Sequence, residues 1–144
     1  MKAEAVLHLR NDVRELGRAA AELARFGEAH RLGEKDVFEI TLALDEVLTN
    51  VIWYAYDEDD GEHEIAVRFG VDGADVVVEV EDDGKAFDPL AVDSVEGELG
   101  RPVDERRVGG LGIHLVRRAM SGLAYRREMG KNVLTMRRRV SEKE

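Results

Sequence analysis

Glu46 and Asn50 are four residues apart in the segment 44–50, which is predicted to be helical. Residues at this spacing share one face of a helix, about 6 Å apart along its axis. We expect the pair to lie at the shoulder of the apolar arc that faces the core. A carboxamide oxygen suits Mg²⁺, and a carboxylate one turn earlier can orient or deprotonate an attacking hydroxyl or water. Taken alone, the pair is also typical of a solvated helix face.

Asp82 continues the alternation of a predicted strand in which Val76, Val78 and Val80 are the buried positions. We therefore expect its carboxylate to point to the covered side of the sheet, where it needs a hydrogen-bond donor. The exocyclic amine of adenine is such a donor, and an acceptor here distinguishes adenine from guanine. Gly84 would let a flat ring lie against the backbone. The alternative is an ordinary acidic turn at a strand end.

Gly109, Gly110, Leu111 and Gly112 form a glycine-rich run at the start of a helix that is predicted from about residue 110 to 121. Backbone N–H groups at such a start can approach phosphate oxygens, and the helix dipole favours the anion. The run is neither a Walker loop nor a dinucleotide fingerprint, because it lacks the Gly-Lys-Ser/Thr ending and the third spaced glycine. It follows a charged segment of low periodicity at 90–108. That order indicates a phosphate site beneath a lid, with plain packing as the alternative.

The composition indicates a globular protein and excludes several function classes. The chain has 144 residues, of which 44% are hydrophobic and 36% charged, so we expect a single domain over 1–144. A net charge of −10 argues against nucleic acid as the main partner. There is no apolar run near the ~20 residues of a membrane span and no signal-peptide pattern. With no cysteine, the chain is expected to be cytoplasmic.

Hydrophobic periodicity predicts the order strand, two helices, two strands, lid, helix and two strands. We expect an α+β two-layer sandwich with helices on one face of a mixed, mainly antiparallel sheet. The first strand is expected to be short or at an edge, and Asn11 or Asp12 to cap the first helix. The expected elements are strands at 6–10, 65–71, 76–80, 124–129 and 132–138, helices at 12–29, 35–56 and 110–121, and hairpin turns at 72–73 and 130–131.

In this order, the motifs resemble the nucleotide-binding boxes of the Bergerat-fold (GHKL) ATPases. Within that superfamily, the chain is most similar to the bacterial anti-sigma factor serine kinases of the RsbW type. The resemblance is carried by the segments 44–50, 82–89, 109–116 and 130–136. One departure is that the family's His-Ala-Tyr is replaced by Tyr-Ala-Tyr at 54–56.

The resemblance implies that ATP and Mg²⁺ are the cofactors. Glu46 would be the general base, Asn50 the Mg²⁺ ligand and Asp82 the acceptor for the adenine amine. A lid arginine would reach the γ-phosphate, with Arg101, Arg106 and Arg107 as candidates. The other residues implied in nucleotide binding are Gly84, Phe87, Gly109, Gly110, Leu111, Gly112, Thr135 and, of the three arginines, Arg106.

The function implied is that of a serine/threonine-protein kinase that phosphorylates an anti-sigma factor antagonist of the STAS type. A sigma factor is the second implied partner, and the chain is expected to form a homodimer without contacting nucleic acid or membrane. Two alternatives stay open at this point. One is a non-catalytic module in which ATP or ADP sets partner affinity, and the other is a histidine-kinase-type catalytic domain that acts in trans.

Overall fold

The computed structural model describes residues 3–56, 61–91 and 108–140, and in the last range it describes side chains from residue 113 onward. The strands are β1 (Ala3–Arg10), β2 (Glu64–Asp72), β3 (Asp75–Asp82), β4 (Gly122–Glu128) and β5 (Lys131–Arg139). The helices are α1 (Leu16–Ala29), α2 (Glu34–Asn50) and α3 (Val108–Ala119). Short 3₁₀ turns lie at Val13–Glu15 and Pro89–Ala91, and a π turn lies at Val51–Ala55.

The strands form one five-stranded sheet in the order β1-β2-β3-β5-β4. Each of the four neighbouring pairs in this sheet is antiparallel. The predicted α+β two-layer fold is therefore confirmed, as is the edge position of the first strand. The sheet is antiparallel throughout the described residues, whereas a mixed, mainly antiparallel sheet was expected. None of the helices in the described ranges combines the length and apolar character that a membrane crossing requires.

All three helices pack against the same face of the sheet. Alternate residues of the central strands point to that face, as the period of two requires. The opposite face carries ion pairs, among them Arg68 with Glu79 and Glu81 at 3.1 and 3.2 Å. The largest fully buried side chains include Leu23, Ile40, Leu44, Leu48, Ile65, Val67, Phe69, Val78 and Met136.

Helix α1 begins later than predicted but ends at the predicted residue, Ala29. Asp12 is an N-cap, as expected, because its Oδ1 accepts the backbone N–H of Arg14 at 2.8 Å. It caps the 3₁₀ turn Val13–Glu15, however, and the α-helix starts only at Leu16.

Both hairpin turns lie one residue away from their predicted positions. The β2–β3 turn consists of Gly73 and Ala74, one residue later than expected, and Gly73 has φ +61°. The β4–β5 turn consists of Met129 and Gly130, one residue earlier than expected, with φ values of +52° and +77°. Two-residue hairpin turns of this kind need residues with positive φ, because the turn then matches the twist of the two strands. Met129, which is exposed, adopts a positive φ beside Gly130.

Helix α2 ends at Asn50 rather than at residue 56, because the chain widens into the π turn Val51–Ala55. This turn packs closely on the loop after β3. A Cβ on Gly84 would lie 2.5 Å from the Cβ of Ala55 and 2.6 Å from its carbonyl oxygen. The same oxygen accepts the backbone N–H of Lys85 at 3.1 Å. The end of α2 is thereby joined to the end of β3.

Arg138 of β5 ties two helix ends to the sheet. Its Nε lies 2.9 Å from Asp36 Oδ1 in the first turn of α2, and its Nη1 donates to the carbonyl of Ala119 at the end of α3. The two charged side chains are only 16% and 18% exposed. Removal of one partner leaves the other poorly solvated and without its counter-charge.

We expect Arg138→Met to lower the free energy of unfolding by about 2 kcal/mol, because Asp36 and the Ala119 carbonyl then lose their donor. Urea denaturation measures this value. The matched control is Arg139→Met, whose side chain is 76% exposed and 3.5 Å from Asp75. That change is expected to cost less than about 0.5 kcal/mol. Equal losses for both variants would contradict a specific role for the Arg138 contact.

Candidate functional site

A cavity opens between α2, the end of β3 and the β4–β5 hairpin. The cavity is small: the centre of a water-sized sphere can reach about 40 Å³ of it. Most of its lining side chains are apolar, and a few polar groups converge on it. The lining residues are Val47, Asn50, Val51, Ala55, Val80, Asp82, Phe87, Pro89, Tyr125, Asn132 and Leu134.

Asp82 reaches the cavity because of the alternation of β3. Val76, Val78 and Val80 are 0%, 0% and 2% exposed on the helix-covered face, and Asp82 follows them at 4%. The expected burial of this carboxylate is therefore observed. Asp83 points the other way and is exposed, with Oδ1 accepting the hydroxyl of Tyr56 at 3.2 Å.

The two carboxylate oxygens of Asp82 differ in their partners. Oδ1 accepts the backbone N–H of Gly84 and the Nδ2 of Asn132, both at 2.9 Å. Among the described residues, no donor reaches Oδ2. Burial raises the pKa of Asp82, and the hydrogen bonds from Asn132 and Gly84 oppose that rise. A buried acceptor without a partner, in an apolar cavity, fits a ligand that brings an N–H donor.

Asn50 and Glu46 occupy different positions relative to the cavity. Asn50 lines it, together with Val47 on the same helix. Glu46 lies one turn earlier on α2, half-buried, and is not among the lining residues. Partial burial, and then the charge of Asp45, raise the pKa of Glu46. A carboxylate with a raised pKa is better suited to accept a proton near neutral pH.

Phe87 and Gly84 follow Asp82 on the loop after β3. Phe87 lines the cavity. Gly84 is buried but is not among the lining residues, and the space that its missing side chain leaves is taken by Ala55. The structure therefore explains this glycine by the close approach of two backbone segments.

Thr135 is not brought to the cavity. It lies on the opposite face of the sheet, where its hydroxyl donates to Glu79 at 3.1 Å. The implied contact between Thr135 and the nucleotide is inconsistent with this geometry, since the alternation of β5 turns the side chain away.

Asn132, three residues earlier on β5, lines the cavity instead and is 5% exposed. Sequence reasoning missed this residue. The signal was the alternation of the buried Leu134 and Met136, which places Asn132 on their side. The register of the β3–β5 pair then sets Asn132 directly opposite Asp82.

The glycine-rich run lies inside the first turns of α3, since this helix begins at Val108, two residues before the predicted start near Gly110. The side chain of Leu111 is outside the described residues, as are Arg101, Arg106 and Arg107. Of the expected lid at 90–108, residues 90–91 belong to a 3₁₀ turn and residue 108 starts α3, while 92–107 are outside the described residues.

Comparison with known proteins agrees with this fold. A sequence model described as "Histidine kinase-like ATPase domain" matches residues 9–138. The chain belongs to this family. Its resemblance to the Bergerat-fold ATPases is thereby confirmed.

Curated relatives of this histidine kinase-like ATPase include serine-protein kinases RsbW. The protein from Bacillus cereus strain AH820 is 32% identical over 120 residues, which cover 81% of this chain and 74% of the relative. The protein from Bacillus thuringiensis strain Al Hakam is 31% identical over the same share of both chains.

Solved structures show the same fold. A crystal structure of the RsbU and RsbW domains of a Mycobacterium tuberculosis protein matches with a TM-score of 0.63 and 18% identity, over 96% of this chain and 33% of that one. A histidine kinase domain from Erythrobacter litoralis matches with a TM-score of 0.54 and 19% identity, over 89% of this chain and 60% of that one. At these identities, the likeness supports the fold alone.

Proposed function

We propose that this chain is an ATP-dependent serine/threonine-protein kinase that phosphorylates an anti-sigma factor antagonist of the STAS type. The observation that carries the proposal is Oδ2 of the buried Asp82, which no donor from the described residues reaches, in an apolar cavity that Asn50 also lines. The similarity to serine-protein kinases RsbW supports the choice of a protein hydroxyl as acceptor. A sigma factor is the second proposed partner.

Different cavity residues would bind the adenine base and the metal ion. Asp82 Oδ2 accepts from the amine of adenine, and Phe87, Val80 and Leu134 provide apolar walls for the ring. Asn50 would offer a neutral oxygen to Mg²⁺, a cation that is held by few protein ligands. Mg²⁺ would neutralise charge on the phosphates, and phosphoryl transfer depends mainly on such positioning and neutralisation.

Glu46 is the proposed general base. As the oxygen of the acceptor serine or threonine forms its bond to the γ-phosphorus, the bond from that phosphorus to the β–γ bridging oxygen breaks and ADP leaves. The hydroxyl proton passes to the carboxylate of Glu46. Partial burial of Glu46 favours this role because it raises the pKa of the carboxyl.

Backbone N–H groups of Gly109 and Gly110, in the first turn of α3, would hold phosphate oxygens. The N–H of Gly112 lies deeper in the helix and is used within it, so no phosphate contact is proposed for Gly112. Arg106 is proposed to reach the γ-phosphate from a lid within 90–108. We further propose that residues 1–144 fold as a single domain, and that the protein acts as a cytoplasmic homodimer.

A titration with ATP and with GTP, each with and without Mg²⁺, tests the proposed site. We expect ATP with Mg²⁺ to raise the melting temperature by several degrees at saturation, because a ligand that binds only the folded state stabilises it. GTP should stabilise much less. In Asn50→Ala, the added effect of Mg²⁺ should disappear while the preference for ATP over GTP remains.

Thr49→Ala is the matched control, since Thr49 is on the same helix turn but is not among the cavity-lining residues. It should respond as the unaltered chain does. Equal stabilisation by ATP and GTP in the unaltered chain would contradict the assignment of Asp82 to the adenine amine. Loss of the ATP preference in Asn50→Ala would contradict the assignment of Asn50 to the metal.

A further inference from the structure

Asn132 is hydrogen-bonded at both ends of its carboxamide. On one side, Oδ1 accepts the hydroxyl of Tyr125 at 2.6 Å, Nη1 of Arg127 at 3.1 Å and the backbone N–H of Phe87 at 3.2 Å. The groups of Arg127 and Phe87 are donors only. The orientation of the amide is therefore determined, and its NH₂ group must point the other way.

That NH₂ group faces the loop after β3. It donates to Oδ1 of Asp82 at 2.9 Å and to the carbonyl of Lys85 at 2.8 Å. The backbone N–H of Gly84 donates to the same Oδ1. Asn132 thus helps to saturate one oxygen of the carboxylate, and the acceptor that remains for a ligand is Oδ2.

Arg127 adds a positive charge to this arrangement. Besides Asn132, its Nη1 contacts the carbonyl of Gly84 at 2.8 Å, so that the cation joins β4 to the loop beside Asp82. Burial raises the pKa of Asp82, whereas the hydrogen bond from Asn132 and the charge of Arg127 lower it. Two other titratable groups, Asp83 and Tyr56, interact electrostatically with this carboxyl.

The ionisation state of Asp82 decides which base the cavity accepts. An ionised Oδ2 is an acceptor and pairs with the 6-amino group of adenine. A protonated Oδ2 is a donor and pairs with the 6-oxo group of guanine instead. A group that keeps Asp82 ionised, and its Oδ1 occupied, therefore favours adenine.

We propose that Asn132 and Arg127 are positioning residues that set the choice of adenine over guanine, acting through the orientation and charge of Asp82. This inference rests on the proposed nucleotide function of the cavity. It goes beyond that function because it assigns base selectivity to two residues that act behind the carboxylate.

Asn132→Leu tests the orientation directly. It nearly keeps the size of the side chain but removes the NH₂ group that donates to Oδ1 of Asp82. The hydrogen bond from Asn132 lowers the pKa of Asp82, so its loss favours the protonated carboxyl, and the Gly84 N–H on Oδ1 then directs the proton to Oδ2. We expect the ratio of the ATP and GTP affinities, measured by calorimetry with Mg²⁺ at pH 7, to fall by about 10-fold or more.

Arg127→Met tests the charge and keeps the test open if Asn132→Leu does not fold, because Arg127 is exposed. We expect the decline in ATP affinity on acidification to begin about half a pH unit higher than in the unaltered chain. Arg126→Met is the matched control. Arg126 directly precedes Arg127 on β4, but it forms ion pairs with Glu128 and Glu79 instead. Its pH profile should be unchanged.

Three outcomes separate the two proposals. A reduced ATP preference with Asn132→Leu, and a shifted pH profile with Arg127→Met, would support the inference. Adenine-selective binding by the unaltered chain, with both variants keeping its ratio and pH profile, would overturn this inference and leave the proposed function intact. No binding of ATP by the unaltered chain would overturn the proposed function, and this inference with it.

Discussion

Asp82→Asn is expected to abolish tight ATP binding while leaving the protein folded. The Gly84 N–H and the Asn132 amide both donate to Oδ1, so the new carboxamide must place its oxygen there and its NH₂ at the former Oδ2. A donor then faces the donor of the adenine amine. We expect ATP affinity to fall about 100-fold, or ~3 kcal/mol, when measured by calorimetry with Mg²⁺.

The expected specificity of this variant is as informative as its affinity. An NH₂ at the former Oδ2 can pair with the 6-oxo group of guanine, so GTP should bind as well as or better than ATP. Asp83→Asn is the control, because Asp83 is the neighbouring carboxylate and is exposed. An Asp82→Asn protein that binds ATP within threefold of the unaltered chain would show that the adenine amine does not meet this carboxylate.

Glu46→Gln is expected to remove phosphoryl transfer without removing nucleotide binding. A glutamine cannot take the hydroxyl proton, and loss of a general base typically costs 10²–10⁴-fold in rate. ATP affinity should stay within about threefold, because Glu46 is not among the cavity-lining residues. Single-turnover transfer to a serine-containing antagonist, at saturating ATP and Mg²⁺, measures the rate.

Asp45→Asn is the matched control for Glu46 and also carries a pH test. The charge of Asp45 contributes to the raised pKa of Glu46, after the effect of burial. Transfer should fall as the pH drops through the pKa of the base. Removal of the Asp45 charge should therefore move that fall to lower pH and leave the plateau rate unchanged. A Glu46→Gln protein that transfers at the full rate would exclude Glu46 as the base.

Local patterns were sufficient to predict the features that depend on one segment at a time. The alternation of Val76, Val78 and Val80 predicted both β3 and the burial of Asp82, because side-chain direction along a strand has period two. The order of strands and helices followed from the same periodicities. The cavity contact of Asn50 also followed from its position on α2, since the apolar arc of that helix faces the core.

The features that sequence reasoning missed depend on two segments meeting. The pairing of Asn132 with Asp82 depends on the register of β3 with β5, although the alternation of β5 alone places Asn132 on the covered face and turns Thr135 away. The end of α2 at Asn50 reflects the contact of Ala55 with Gly84, which are distant in sequence. Neither pairing is encoded in a local pattern, so tertiary packing overrides the local propensity.

The most direct test of the proposed kinase is transfer from γ-labelled ATP to a STAS-type antagonist in the presence of Mg²⁺. We predict that label appears on a serine or threonine of the antagonist, and that it is stable to acid as a phosphate ester is. Label on histidine would contradict the proposal and indicate a histidine-kinase-type reaction. ATP binding without any transfer would also contradict it, and would leave a module in which nucleotide occupancy sets partner affinity.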